Sequence, residues 1–313
     1  MSKTALLFAG QGAQAVGMGK DLAEKFPSAK AWFDRANAAL GCDLAAVCFN
    51  GPDAELTKTE NAQPGIFLVS WVCFELLKEK VPNLKCDATA GLSLGEFTAL
   101  AAAGAMSFED GLRVVRQRGK FMQEACDATR GGMAAIIGLD EAPTREVCTE
   151  AGVTLANLNC PGQIVISGET DKIARAVELA KAKGAKRAIP LPVAGAYHSP
   201  LMASAQPKLQ AELEKIKISA PTVPVISNVT ALPQGTPMGI NSRLVEQITS
   251  SVLWEKSMRY LLAHDFTRFI ELGPGTALSG FMKRIDPAKR DAMLNVADVA
   301  SLEATVKVLN QTA

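Results

Sequence analysis

Apolar and polar positions along the chain switch between the spacing of strands and that of helices. Residues 4–9 form a short apolar run that stops at Gly10, as a buried strand does. Helical spacing follows over residues 19–25, 29–40 and 66–79, with Pro82 closing the last. Residues 87–90 predict a second strand, weak in propensity because alanine forms strands poorly. It leads into Gly91-Leu92-Ser93-Leu94-Gly95 and a helix over 96–103, and a long amphipathic helix covers 108–125.

The texture changes near residue 128. A strand over 132–139, a helix over 142–151, strands over 153–157 and 163–168, a helix over 171–183 and a strand over 186–193 follow in order. The two middle strands flank a turn at Asn159-Cys160-Pro161-Gly162. The order βαββαβ is the split arrangement of a ferredoxin-like unit. Beyond His198, strands over 223–228 and 268–272 and a helix over 254–263 resume the alternation, which predicts a mostly parallel α/β sheet. The expected division is a ferredoxin-like subdomain, 128–198, inserted into a discontinuous α/β domain, 1–127 and 199–313. A length of 313 residues agrees, at about 150 residues per domain.

Composition narrows the function. Lys+Arg 33 against Asp+Glu 32 offers no broad attraction for nucleic acid or an anionic membrane. The start, Met1-Ser2-Lys3-Thr4, enters a strand directly and is not a signal peptide, and the longest apolar stretch, 66–77, is too short to span a bilayer. Seven cysteines, an odd number without a C-x-x-C pair, argue against a disulfide framework or zinc knuckle and for reduced thiols in a cytoplasmic protein. Only His198 and His264 can supply histidine chemistry.

The pattern Gly91-x-Ser93-x-Gly95 between strand and helix fits a nucleophile elbow. The following helix N-terminus favours an anion near Ser93. Such a serine needs a base. His198 lies where the inserted unit rejoins the larger one, a common place for a cleft, whereas His264 falls in the last turn of a helix, where the dipole favours it structurally. No acid near either histidine is marked as a third partner. Gly10-Gln11-Gly12-Ala13-Gln14-Ala15 matches a dinucleotide fingerprint in form, but no strand ends in an acid about twenty residues on. A loop presenting backbone N–H groups beside the elbow fits better. Arg113, Arg116 and Lys120 share one helix face, while Arg118 lies opposite among Val114, Val115, Phe121 and Met122. A guanidinium there needs a partner, either an internal carboxylate or one on the substrate. Lys181, Lys183, Lys186 and Arg187 form a basic cluster that serves either solubility or contact with a phosphate or acidic protein.

Taken with Phe8-Ala9-Gly10-Gln11-Gly12, Gly91-Leu92-Ser93-Leu94-Gly95-Glu96, Arg116-Gln117-Arg118-Gly119, Asn159-Cys160-Pro161-Gly162-Gln163, Gly195-Ala196-Tyr197-His198-Ser199 and Glu271-Leu272-Gly273-Pro274-Gly275, the whole chain resembles the malonyl-CoA:acyl carrier protein transacylases of bacterial-type fatty acid synthesis. The resemblance implies an α/β-hydrolase-like core carrying the inserted unit. It implies Ser93 as nucleophile, His198 as base, the backbone N–H groups of Gln11 and Leu94 as oxyanion hole, Arg118 as partner of the malonyl carboxylate, and the backbone carbonyl of Gln247 as the group orienting His198. Lys186 and Arg187 are assigned to the carrier or a CoA phosphate. Malonyl-CoA and acyl carrier protein are the expected partners, with no metal and no cofactor, and the chain is taken as a monomer. The alternatives are a trans-acting acyltransferase of a polyketide pathway and a serine hydrolase or thioesterase. Leu92 stands where relatives often have histidine, and Tyr197 where phenylalanine is common; an aromatic there crowds an extra methyl on the acyl group.

Overall fold

The structure, a computed structural model, describes residues 3–311. Its strands, in chain order, are β1 (Lys3–Phe8), β2 (Ala88–Gly91), β3 (Gly131–Ile137), β4 (Thr154–Cys160), β5 (Gln163–Glu169), β6 (Arg187–Pro190), β7 (Val225–Ile226), β8 (Phe266–Leu272) and β9 (Met293–Val296). Five build a parallel sheet in the order β7-β2-β1-β8-β9. A central parallel strand is covered on both faces, and β1 is buried from its second residue on. Alternation along it separates two cores. Leu6 and Phe8 belong to one, with the helices Thr59–Lys80, Gly95–Ala102 and Phe108–Asp127. Ala5 and Leu7 belong to the other, with Trp254, Met258 and Met282 from Trp254–Ala263 and Ala277–Ile285.

The remaining four strands form a separate antiparallel sheet, β4-β5-β3-β6. With the helices Glu141–Ala151 and Thr170–Ala182 it runs βαββαβ, in the order expected, around its own core of Ile136, Val147, Ile166 and Val177. Two details differ from the reading of the sequence. The strand β4 runs on to Cys160, so the turn is only Pro161-Gly162, with Gly162 at φ 63. The strand β6 ends at Pro190; Leu191 N still donates to Met133 O at 2.9 Å, and Pro192, which has no N–H, cannot extend the ladder.

Backbone hydrogen bonds join β4 to the segment before the helix Trp254–Ala263 of the larger unit. Leu158 N donates to Val252 O at 2.9 Å and Val252 N to Ala156 O at 2.8 Å. Arg284, from the larger unit, donates to Pro161 O at 2.7 Å and Gln163 Oε1 at 2.8 Å, and so holds the hairpin turn.

The helix read as starting at residue 66 begins at Thr59 and keeps Pro64 inside it. Asn61 N and Ala62 N both donate to Lys58 O, so the first turn forms despite the missing proline N–H. That extension puts Gln63 on the helix, fully buried. The helices Leu44–Asn50, Ala205–Leu213, Pro237–Glu246, Ala277–Ile285 and Val299–Gln311 and the strand β9 were not read from the sequence. Among the described residues no helix is long and apolar enough to cross a membrane.

Candidate active site

Strands β1 and β2 end side by side, Phe8 opposite Gly91, and the chain leaving β2 turns sharply into Gly95–Ala102. Three glycines permit this close approach. A Cβ on Gly91 would run into the Gly95 carbonyl, one on Gly95 into the carbonyls of Phe8 and Ala9, and one on Gly10 into Leu92 O. The turn sets Ser93 at φ 53, a left-handed conformation that costs a serine about 1–3 kcal/mol. Asn228, just past β7, holds it there: Oδ1 accepts from Ser93 N at 2.7 Å and Nδ2 donates to Gly91 O at 2.7 Å.

His198 reaches the elbow from the far end of the antiparallel unit. Its loop fits only small residues, since a Cβ on Gly195 would strike Cys126 and one on Gly131 would strike Ala196. His198 is itself left-handed, at φ 57. Its Nε2 lies 2.8 Å from Ser93 Oγ, and Nδ1 lies 2.9 Å from the backbone O of Gln247. A carbonyl only accepts, so Nδ1 carries the proton and the Nε2 lone pair faces the serine. Burial, and then the nearby Arg118 charge, push the imidazole down to about 4, which leaves it neutral at pH 7. Ser93 Oγ can therefore pass its proton to Nε2 with no carboxylate as third partner. His264 is exposed, stacks on Tyr260 at 4.0 Å and donates from Nδ1 to Tyr260 O.

Arg118 is 1% exposed and fully inside the site. Of the two alternatives for its partner, an internal carboxylate is not hydrogen-bonded to it among the described residues: Glu96 acts on it only through charge, and its hydrogen bonds go to uncharged oxygens. Nη1 donates to Gln63 Oε1 at 2.7 Å, and Nη2 donates to Gln247 Oε1 at 2.9 Å and Ser93 Oγ at 3.1 Å. Nε is buried with no partner among the described residues. Phe97 lies under the guanidinium at 5.5 Å. Burial lowers its pKa to about 10, so it stays cationic at pH 7. A cation held beside the serine by neutral amides has charge and a donor left for an anionic group.

Four polar residues of the site were not read from the sequence: Gln63, Asn228, Gln234 and the side chain of Gln247. Glutamine and asparagine carry no spacing signal, and Gln63 comes from a segment far from that of Asn228, Gln234 and Gln247. Glu96 was legible only as the last residue of the elbow motif. Its Oε2 accepts from Gln247 Nε2 at 2.6 Å and Asn228 N at 3.2 Å, and Oε1 accepts from Gln234 Nε2 at 2.5 Å. Burial raises its pKa to about 7, against the lowering effect of these donors and of Arg118.

The remaining expected residues divide. Among the described residues neither Gln11 N nor Leu94 N donates to a protein acceptor. The Gln11 side chain is within reach of the site, its Oε1 accepting from Gln63 Nε2 at 3.2 Å. Tyr197 lies beside the loop, its hydroxyl 2.7 Å from Thr59 Oγ1, and Leu92 packs on Gly10. Lys186 and Arg187 are exposed at the start of β6 and bond to none of these groups. Of their cluster, Lys181 pairs with Glu178 and Lys183 with Glu146. The motif Glu271-Leu272-Gly273-Pro274-Gly275 is structural here. Its carboxylate caps the helix Ala277–Ile285, accepting from Leu278 N and Ser279 N, while Gly273, at φ 120, lies against Ser70 and Ala9 behind the Gly10 loop.

A strained serine bonded to a neutral, carbonyl-oriented histidine at the end of a parallel sheet is suited to carrying an acyl group as an ester. The chain belongs to the acyl transferase domain family, whose model matches residues 5–302. It is 47% identical to the malonyl CoA-acyl carrier protein transacylase of Bacillus subtilis, over 99% of this chain and 98% of that one. It superposes on the malonyl CoA-acyl carrier protein transacylase of Coxiella burnetii with a TM-score of 0.94 at 35% identity, covering 98% and 97% of the two chains. A malonyl-transacylase solved in complex with a type II polyketide acyl-carrier protein gives a TM-score of 0.93 at 38% identity, over 98% and 99%.

Proposed function

We propose that the protein moves a malonyl group from malonyl-CoA to the phosphopantetheine thiol of an acyl carrier protein, through a malonyl ester on Ser93, and so supplies fatty acid synthesis. The observation that carries this is Arg118, a buried cation 3.1 Å from Ser93 Oγ with no carboxylate bonded to it. A neutral acyl group would leave that charge unused, whereas malonyl brings a carboxylate to it. The relatives above, named for the same transfer, support the reading.

Ser93 Oγ attacks the thioester carbonyl as His198 Nε2 takes its proton. Gln11 N and Leu94 N, left without protein acceptors, hold the oxyanion. The tetrahedral intermediate collapses, the C–S bond breaks, and His198 returns the proton to the CoA thiolate. The carrier thiol then attacks the ester with His198 as base, and Ser93 leaves with the proton. The Gln247 carbonyl keeps Nε2 aimed at the serine throughout both halves. The core is best described as α/β-hydrolase-like, for its parallel sheet and elbow, with the antiparallel unit inserted over 128–198. Lys186 and Arg187, exposed and without ion pairs among the described residues, are assigned to the acidic carrier or a CoA phosphate. Every group of the site comes from one chain, which supports a monomer as the working unit.

Incubation with malonyl-CoA alone, followed by intact and peptide mass spectrometry, tests the scheme. A malonyl adduct on the Ser93 peptide that discharges onto added carrier protein is the expected result. Steady release of CoA without an adduct would identify a hydrolase instead.

A further inference from the structure

We infer that Glu96 is a positioning residue for acyl-group selection: through the amide of Gln247 it fixes Arg118 in the orientation that receives a carboxylate-bearing acyl group. This rests on the malonyl-transfer reading and deepens it.

The side-chain amide of Gln247 has one sense only. Gln247 Nε2 donates to Glu96 Oε2 at 2.6 Å and to the backbone O of Ser93 at 3.1 Å. Its Oε1 is left facing Arg118 Nη2, at 2.9 Å. The facing oxygen, Glu96 Oε2, already accepts from Asn228 N, and with a donor-only guanidinium on the other side a single orientation of the amide is permitted. Reversing it would set oxygen against oxygen at Glu96 and two donors together at Arg118. The same carboxylate accepts from Asn228 N, and Asn228 in turn holds Ser93 N. The Glu96 carboxylate is thus one amide away from the cation and one amide away from the nucleophile and touches neither, although the Glu96 backbone N donates to Ser93 O at 3.0 Å.

The three donors to Glu96 require its oxygens to act as acceptors. A neutral isostere can still satisfy them. Gln234 Oε1 is buried with no partner among the described residues. A glutamine at position 96 can accept from Gln247 Nε2 and donate its own amide to Gln234 after that amide turns over. Alanine can do neither, and leaves the Gln247 amide held only by Ser93 O and Arg118, without its shortest bond.

Acylation of the full-length protein by malonyl-CoA and by acetyl-CoA reads this directly. Glu96→Ala is expected to lower the malonyl-to-acetyl ratio of kcat/KM about ten-fold or more, the scale of a lost charge-assisted hydrogen bond. Glu96→Gln should restore the ratio to within about three-fold of the original, because the amide sense is kept. Gln247→Met, which keeps the backbone carbonyl on His198 and removes the amide, should match Glu96→Ala, and the double variant should lower the ratio no further. An unchanged ratio in Gln247→Met, an equal fall for both donors in Glu96→Ala, or single effects that multiply in the double variant would each overturn the inference. Should Glu96→Ala fail to fold by circular dichroism, Glu96→Gln and Gln247→Met decide alone. If the unaltered protein takes no malonyl group, the malonyl-transfer reading itself fails; if it does and the ratio stays put across the variants, only the role of Glu96 fails.

Discussion

In the antiparallel unit, the charged groups that pair do so mostly with near neighbours in sequence. Thr144, itself buried, donates to Asp140 O four residues earlier, while on the outer surface Arg145 pairs with Glu141, Lys172 with Glu169 and Lys181 with Glu178. At the end of the parallel sheet the partners are remote. Ser93 and His198 are 105 residues apart, Arg118 and Gln247 129, and Glu96 and Gln247 151. Three ionisable side chains, Glu96, Arg118 and His198, are buried together there. One region carries its charge in water, where it contributes little, and buries only uncharged groups, the polar ones among them Thr144, Asn159 and Ser167. The other encloses charge in a place of low polarizability, where each charge is costly unless matched and correspondingly strong toward a ligand. A fold can therefore lose surface pairs cheaply and site residues only at the expense of function.

The sharpest break of that contrast is Ser93→Ala. It is expected to abolish the acyl adduct and lower transfer by about 10⁴-fold or more, with the fold intact by circular dichroism. Persisting transfer would remove Ser93 as nucleophile. Arg118→Met should come next. It deletes a charge-assisted contact of about 1.5–3 kcal/mol, so malonyl loading should fall roughly ten- to a hundred-and-fifty-fold more than acetyl loading. An equal loss for both would make Arg118 a structural cation.

The same variant bears on the pH profile. With His198 held down to about 4, kcat/KM for acylation should stay level from pH 8 to below 6 and fall only near 4. Arg118 disfavours the imidazolium, so its removal should move the acid limb upward. An acid limb near 6.5 in the unaltered protein would show that burial does not depress the base. The linked stability has a definite sign. The unfolded histidine takes up its proton below about 6.5, so the His198 contribution is present above that pH and is lost as pH falls toward 4.

In the antiparallel unit the prediction reverses. Ile166→Ala, in its core, should cost about 2–5 kcal/mol in chemical denaturation while the malonyl-to-acetyl ratio stays unchanged. A changed ratio would mean that the strain reaches Gln247 through the Val252 backbone bonds. The smallest effect belongs to Arg145→Ala, on the exposed pair with Glu141. Stability should move by less than about 1 kcal/mol and activity not at all.

Legibility in the sequence follows the same division. The βαββαβ order could be read because each element declares itself in its own spacing, and because the hairpin turn is marked by Pro161-Gly162. The missed helix start at Thr59 shows the limit of that reading. Pro64 marks a break locally, yet burial of Gln63 against Arg118 holds the helix together. Ser93 and His198 were legible because glycine spacing and the scarcity of histidine single them out. Arg118 was legible as a cation on an apolar face, but whether its partner was internal was not.

By itself, then, the sequence determined most of the elements, the elbow, Ser93 and His198 as the candidate pair and the presence of a cation in need of a partner. These depend on residue type and near-neighbour spacing, which a chain displays without folding. Only the tertiary structure decided that the partner is no internal carboxylate, that a carbonyl takes the place of a third acidic group, and that Glu96, Gln247 and Asn228 form one bonded set. Amide and carbonyl groups occur throughout any chain. Which few of them lose water together, and so must find one another, is settled by packing.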